Sequence, residues 1–89
     1  MRKVRILVSG RVQGVYFRAF TLKKANQLAV LGTVRNLPDG RVEIIAEAGT
    51  ATIEKLISWS QKGPITARVD HIDVTELEPT NEFVSFSIL

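Results

Sequence analysis

The chain opens on an alternation. Val4, Ile6 and Val8 fall on one side and Arg5, Leu7 and Ser9 on the other, which predicts a β-strand over residues 3–9. Two glycines interrupt the pattern in residues 10–16, which predicts a loop. The period then changes. Phe17, Thr21, Ala25 and Leu28 lie on one helical stripe, and Arg18, Leu22, Ala25 and Ala29 on its neighbour, so a helix is expected from Phe17 to Val30. Leu31-Gly32 ends that helix or starts the next strand, expected from Thr33 to Asn36. A third strand, Arg41 to Ala48, sets Val42, Ile44, Ala46 and Ala48 against Arg41, Glu43, Ile45 and Glu47. Between the two strands, Leu37-Pro38-Asp39-Gly40 predicts a tight turn, since proline pre-sets φ and glycine permits a positive φ.

The second half repeats the alternation of helix and strand. Gly49-Thr50-Ala51-Thr52 opens a helix, with Thr50 or Thr52 as the expected cap and Glu54 near the positive end of its dipole. Ile53, Leu56, Ile57 and Ser60 form its stripe, Trp59 flanks it, and Gly63-Pro64 stops it. A fourth strand is expected from Val69 to Glu78, with Ile72 and Val74 on one face. After the turn Glu78-Pro79-Thr80-Asn81, Val84, Phe86 and Ile88 alternate against Ser85, Ser87 and Leu89 in a short last strand. The order β-α-β-β-α-β with an extra terminal strand predicts an α+β fold. It is a ferredoxin-like sandwich, an antiparallel sheet with two helices on one face, forming one domain over residues 1–89. Such a fold hosts many functions and selects none.

Composition narrows the chemistry. The 89 residues contain no cysteine, so a disulfide framework, a thiol nucleophile and a thiolate metal site are all excluded. No apolar run approaches the ~18 residues of a membrane span, and no signal-peptide apolar region follows the basic N-terminus, so the expected location is the cytoplasm. The net charge of +3 suits a small anionic ligand. His71 is the single histidine, flanked by Asp70 and Asp73, and is expected on the strand surface rather than on a metal. The carboxylates form no acid/base pair or metal cluster, and Ser9 and Ser87 have no histidine base argued to be near. Trp59 and the four phenylalanines are expected in or against the core.

What remains is the stretch from Gly10 to Arg18. A strand, a glycine-punctuated loop and a helix N-terminus make a site for an anion, because backbone N–H groups converge there and the helix dipole favours negative charge. Its glycine spacing matches neither the Walker loop nor the dinucleotide fingerprint. No capping side chain precedes Phe17, so the first-turn N–H groups are free for a ligand. Arg18 opposes the helix dipole beside an apolar stripe, a broken local rule that points to function unless the side chain simply reaches back to solvent. Gly14 supplies a turn, or lets the backbone close on an oxyanion, or both. Asn36 hydrogen-bonds its own turn or positions a water. A site of this kind serves a substrate that is already reactive, through positioning and charge stabilisation.

Two segments carry a family resemblance. Gly10-Arg11-Val12-Gln13-Gly14-Val15-Tyr16-Phe17-Arg18 and Gly32-Thr33-Val34-Arg35-Asn36-Leu37-Pro38-Asp39-Gly40-Arg41-Val42-Glu43 resemble the signatures G-R-V-Q-G-V-x-F-R and G-x-V-R-N-x-x-D-G-x-V-E of the acylphosphatases. The likeness extends to Gly63-Pro64, to Arg68-Val69-Asp70, and to Phe83 and Phe86. It implies hydrolysis of a carboxyl–phosphate anhydride to carboxylate and inorganic phosphate. It implies that Arg18 binds the phosphate and that Asn36 positions the attacking water. The backbone amides of Gly14, Val15, Tyr16, Phe17 and Arg18 would cradle the phosphoryl oxygens, with no metal or cofactor. The expected partner is a small-molecule acyl phosphate, with no nucleic acid or membrane, and the expected state is a monomer. With no strong general base in view, the substrate's own phosphoryl oxygen is expected to take the water's proton.

The sequence also departs from the family. Tyr16 fills a variable position. Leu37 stands where animal members often carry Thr, and Thr33 where Trp is frequent. The end, Ser87-Ile88-Leu89, lacks the basic residue common near the terminus, and the Leu89 carboxylate is a candidate to orient Arg18. One rival is a catalytically silent module binding RNA or a small anion. An RNA-binding sheet of this topology exposes paired aromatics on its central strands, and the first and third strands here have none. Another is a regulatory domain cut from a larger carbamoyl-handling protein, set aside in the expectation that the 89 residues from Met1 are the whole chain.

Overall fold

A computed structural model describes residues 1–89. The elements are β1 (Arg2–Arg11), α1 (Phe17–Leu28), β2 (Leu31–Asn36), β3 (Val42–Ala48), α2 (Thr50–Lys62), β4 (Arg68–Leu77) and β5 (Phe86–Ile88). They form one five-stranded sheet in the order β4-β1-β3-β2-β5. β1 pairs antiparallel with β3 and β4, and β2 antiparallel with β3. β5 runs parallel to β2, so the sheet is mixed rather than purely antiparallel.

The alternation set the faces correctly. Val4, Ile6 and Val8 of β1 and Val42, Ile44 and Ala46 of β3 are buried beneath the helices, with Phe17, Ala25, Ile53 and Leu56 pressed onto them. Phe17 also meets Trp59 of α2, ring centres 5.7 Å apart. The opposite face carries Glu43, buried between Arg5 and Arg35, which donate to it at 2.7 and 2.8 Å. Burial alone raises the Glu43 pKa, but the hydrogen bonds from Arg35 and Arg5 outweigh it and hold the carboxyl below its ordinary range. Glu47, on the same face, accepts from the backbone N–H groups of Thr80 and Asn81 at 2.8 and 3.1 Å. The segment joining β4 to β5 is thereby held as it passes from one sheet edge to the other.

Several expected boundaries shift, each for a local reason. β1 runs through Gly10 to Arg11, because a bulge between Ser9 and Gly10 changes register and lets pairing with β4 continue. A side chain at position 10 would meet the Arg68 carbonyl at 2.2 Å, so only glycine fits. α1 stops at Leu28 rather than Val30. Ala29 takes a left-handed cap (φ 58°), and the Val30 N–H returns to the Ala25 carbonyl at 2.8 Å, freeing Leu31 to start β2. The turn at Leu37–Gly40 forms as expected, closed by the Gly40 N–H to the Leu37 carbonyl at 3.2 Å. Neither Thr50 nor Thr52 caps α2: Gly49 is the cap, and both threonines lie inside the first turn. Glu54 lies beyond that turn and pairs with Arg2. β4 begins and ends one residue early. Val84 is exposed, because the terminal strand covers only Phe86–Ile88. Phe20 also lies at the surface, unlike the buried Phe17 and Phe86. No helix is long and apolar enough to cross a membrane.

Candidate active site

The loop between β1 and α1 is where the backbone departs from regular structure. Gly14 has φ 74°, and Tyr16, which caps α1, has φ 65°. At Gly14 an added Cβ would touch nothing within 4 Å, so the glycine is there for its conformation and not for room. A non-glycine residue in the left-handed region costs about 1 kcal/mol or more, so Tyr16 stores strain in the loop. Left- and right-handed residues in succession turn their N–H groups towards a common point, the geometry of an anion nest. Tyr16 makes no side-chain cap bond, and the first turn of α1 holds no acid. The N-terminal N–H groups of α1 thus have no side-chain acceptor competing for them.

Side chains from distant segments hold this loop. Gln13 Nε2 donates to the carbonyls of Leu37 at 2.8 Å and Arg41 at 2.9 Å, tying the loop to the β2–β3 turn. On the other flank, Thr66 Oγ1 donates to the Val15 carbonyl at 2.6 Å. The turn is itself stiffened by Asp39, which accepts from the Arg41 N–H at 3.1 Å and from its guanidinium at 2.8 Å. The backbone N–H of Arg41 first, and its guanidinium second, lower the Asp39 pKa. Gln13 sat inside the first signature without a role, and nothing in the sequence marked it, since its partners are distant backbone carbonyls.

The loop, the C-terminal end of β2 and β5 enclose a half-open cleft of about 350 Å³. Its walls are Val12, Gly14, Tyr16, Phe17, Arg18, Ala19, Asn36 and Ile88. Arg18 and Asn36 therefore share one cleft with three of the loop residues expected to bind through their amides. Val15 does not line it, because its side chain joins the core. Arg18 is half-buried and enters no ion pair; the chain's carboxylates are taken up elsewhere or lie apart. The Leu89 carboxylate forms no ion pair with it, although the Leu89 N–H is bonded to the Val34 carbonyl at 2.9 Å nearby. Asn36 Oδ1 is the one buried side-chain oxygen or nitrogen in the molecule without a hydrogen-bond partner. An orphaned amide oxygen costs about 1–3 kcal/mol, a cost relieved by any donor that enters the cleft beside it.

No carboxylate, imidazole or aliphatic hydroxyl lines the cleft. His71 is exposed and bonded to Asp73 at 3.0 Å on β4. The central strands β1 and β3 present no aromatic residue, and the two arginines flanking Glu43 are both paired with it.

Comparison with known proteins agrees with this architecture. The family model described as Acylphosphatase matches residues 4–88. The acylphosphatase of Methylococcus capsulatus is 48% identical over 89 residues, covering all of this chain and 97% of that protein. That of Marinobacter nauticus is 52% identical over 81 residues, covering 91% of this chain and 88% of the relative. The crystal structure of acylphosphatase from Bacillus subtilis superposes with a TM-score of 0.95 at 38% identity, covering 100% of this chain and 99% of that one. The chain belongs to the acylphosphatase family, enzymes that hydrolyse acyl phosphates.

Proposed function

We propose that the cleft hydrolyses acyl phosphates by positioning and charge stabilisation alone, with the phosphoryl group held by the loop amides and Arg18. The observation that carries this reading is the pairing, in one cleft, of an arginine without a counter-ion and an asparagine oxygen without a donor. The arginine fork and the N–H groups of Gly14 through Arg18 bind the equatorial oxygens, where charge accumulates in phosphoryl transfer. Asn36 Oδ1 accepts a hydrogen bond from water and fixes its oxygen in line with phosphorus. The water oxygen bonds to phosphorus as the bond from phosphorus to the acyl oxygen breaks. The carboxylate leaves with the electron pair, and the water's proton passes to a phosphoryl oxygen. Carboxylate is a good leaving group, so the wall needs no acid, and in this reading the chemistry needs no metal. The cleft is built from one chain, so the active unit is taken to be the monomer.

The test is phosphate release from acetyl phosphate in the presence of EDTA. Arg18→Ala is expected to lose nearly all turnover and to bind inorganic phosphate poorly. Asn36→Ala is expected to lose turnover while keeping its phosphate affinity. Phosphate at a hundred times its Kd should stabilise the wild type by about 2.7 kcal/mol, and Asn36→Ala nearly as much, but not Arg18→Ala. Normal turnover in either variant would refute the role given to that residue. A sharp pH optimum abolished by an Asp or Glu substitution would refute proton transfer to the phosphoryl oxygen.

A further inference from the structure

The cleft has a neighbour across the loop. On the far flank of Tyr16 lies a second recess of about 370 Å³, walled by Tyr16, Ala19, Phe20, Lys23 and Thr66. Tyr16 and Ala19 line both, so the two spaces share a wall. The recess offers rings to solvent: Tyr16 is 75% exposed and Phe20 37%.

Its direction matters. Asn36 and Ile88 come from β2 and β5 at one side of the sheet, whereas Thr66 leads into β4 at the opposite edge. The two spaces therefore flank the loop on opposite sides. Phosphoryl transfer places attacking and leaving oxygens roughly in line across phosphorus. With water beside Asn36, the acyl group leaves towards Tyr16 and Phe20.

The charge is just as uneven. α1 carries Arg18, Lys23 and Lys24 and no acidic residue. The other nine basic residues of the chain are matched by its nine acidic ones, so the whole net charge of +3 resides on this helix. Lys23 has no carboxylate partner among the ion pairs, and no acid lines either recess. It stands five residues beyond Arg18, about 7.5 Å along the helix axis.

We propose that this recess is the acyl-group subsite, and that it selects acyl phosphates whose acyl part is flat, apolar and ends in a second carboxylate, received by Lys23. The inference rests on the hydrolytic reading and names the substrate class of that site. The rings take the flat body of the acyl group. Lys23, on the wall of the same recess, takes the distal charge.

The test compares acetyl phosphate, benzoyl phosphate and 4-carboxybenzoyl phosphate across three proteins, reading each variant against wild type on the same substrate. Phe20→Ala should lower kcat/KM for both aromatic substrates about fivefold, mainly through KM, and leave acetyl phosphate within about twofold. Lys23→Gln should lower kcat/KM about threefold for 4-carboxybenzoyl phosphate alone, and the difference should fade in high salt. Both side chains reach the surface, so neither change threatens the fold. Equal effects of Lys23→Gln on all three substrates would mean a general field at the helix and would overturn the subsite, as would no effect of either variant. Failure of the wild type on acetyl phosphate would instead overturn the hydrolytic reading itself.

Discussion

Replacing Gln13 by Met removes one amide donor while keeping the side chain's length. The wild-type amide makes two bonds, to the Leu37 carbonyl at 2.8 Å and the Arg41 carbonyl at 2.9 Å. Each contributes about 0.5–1.5 kcal/mol. Neither carbonyl is left orphaned, since the Gly40 N–H still reaches Leu37 and the Leu37 N–H still reaches Arg41. The expected loss of stability is thus about 1–2 kcal/mol, at the lower end for two bonds. For a domain of this size that is a drop of roughly 5–15 °C in Tm. The effect on turnover should be disproportionate. Gln13 is the side-chain tie between the β1–α1 loop, proposed to hold the phosphoryl group, and the turn that follows Asn36, and a displacement near 1 Å between reacting groups costs as much as about a hundredfold in rate. Acetyl phosphate turnover at 25 °C, below either melting transition, should fall about ten- to a hundredfold in kcat. KM and phosphate affinity should change far less, because the loop amides and Arg18, the proposed phosphate ligands, remain. A circular-dichroism melt supplies the stability on the same samples. If Gln13→Met melts lower yet turns over normally, the tie holds the fold only, and its alignment of loop with Asn36 is refuted.

Two further perturbations follow from backbone and charge. Gly14→Ala keeps ample room but forces a Cβ into φ 74°; it should cost about 1 kcal/mol and weaken phosphate binding, and a variant that matches wild type in thermal melts and in phosphate titration would show that the left-handed turn is not needed. Glu43 has a folded pKa held below the ordinary 4.5, so the stability it contributes is present above about pH 4.5 and is lost as the pH falls through the folded value. Glu43→Gln should therefore be less stable than wild type by about 1–2 kcal/mol at pH 7, with the urea-denaturation curves drawing together as the pH falls; a gap that does not narrow in acid would assign the loss to packing.

The periodic parts of this molecule were legible in its sequence because each rests on one repeating physical cause. Alternation identified the buried faces of β1 and β3, and the helical stripe identified Phe17, Thr21 and Ala25 as the underside of α1. Boundaries were less so, since they depend on partners. Nothing local to Gly10 says that the Arg68 carbonyl will press on it, and Ala29 carries a left-handed turn that composition would assign to glycine. The parallel docking of β5 is equally remote from local pattern, being set by the N–H of Leu89 and the carbonyl of Val34 from opposite halves of the chain. At the site, Arg18 stood out as a candidate by breaking a helix rule, and Asn36 was open between bonding its own turn and positioning a water until the resemblance implied the second; the structure places both on one cleft. Gln13 stayed silent. Its partners are carbonyls more than twenty residues away, and a glutamine offers the same appearance whether it faces water or a loop.

The placement of β1 between β3 and β4 sets a kinetic character for the chain. The strand made first finds neither neighbour until much later: Val8 pairs with Val42 on one side and with Ile72 on the other. Contacts so distant in sequence must close long loops before they return free energy, and chains dominated by them fold in milliseconds to seconds rather than microseconds. The loop proposed to hold the phosphoryl group begins where β1 ends, so its shape is not set until this slow pairing is complete. A phosphate ion should accordingly leave the refolding rate almost untouched and act on the other limb, lengthening the lifetime of the native state.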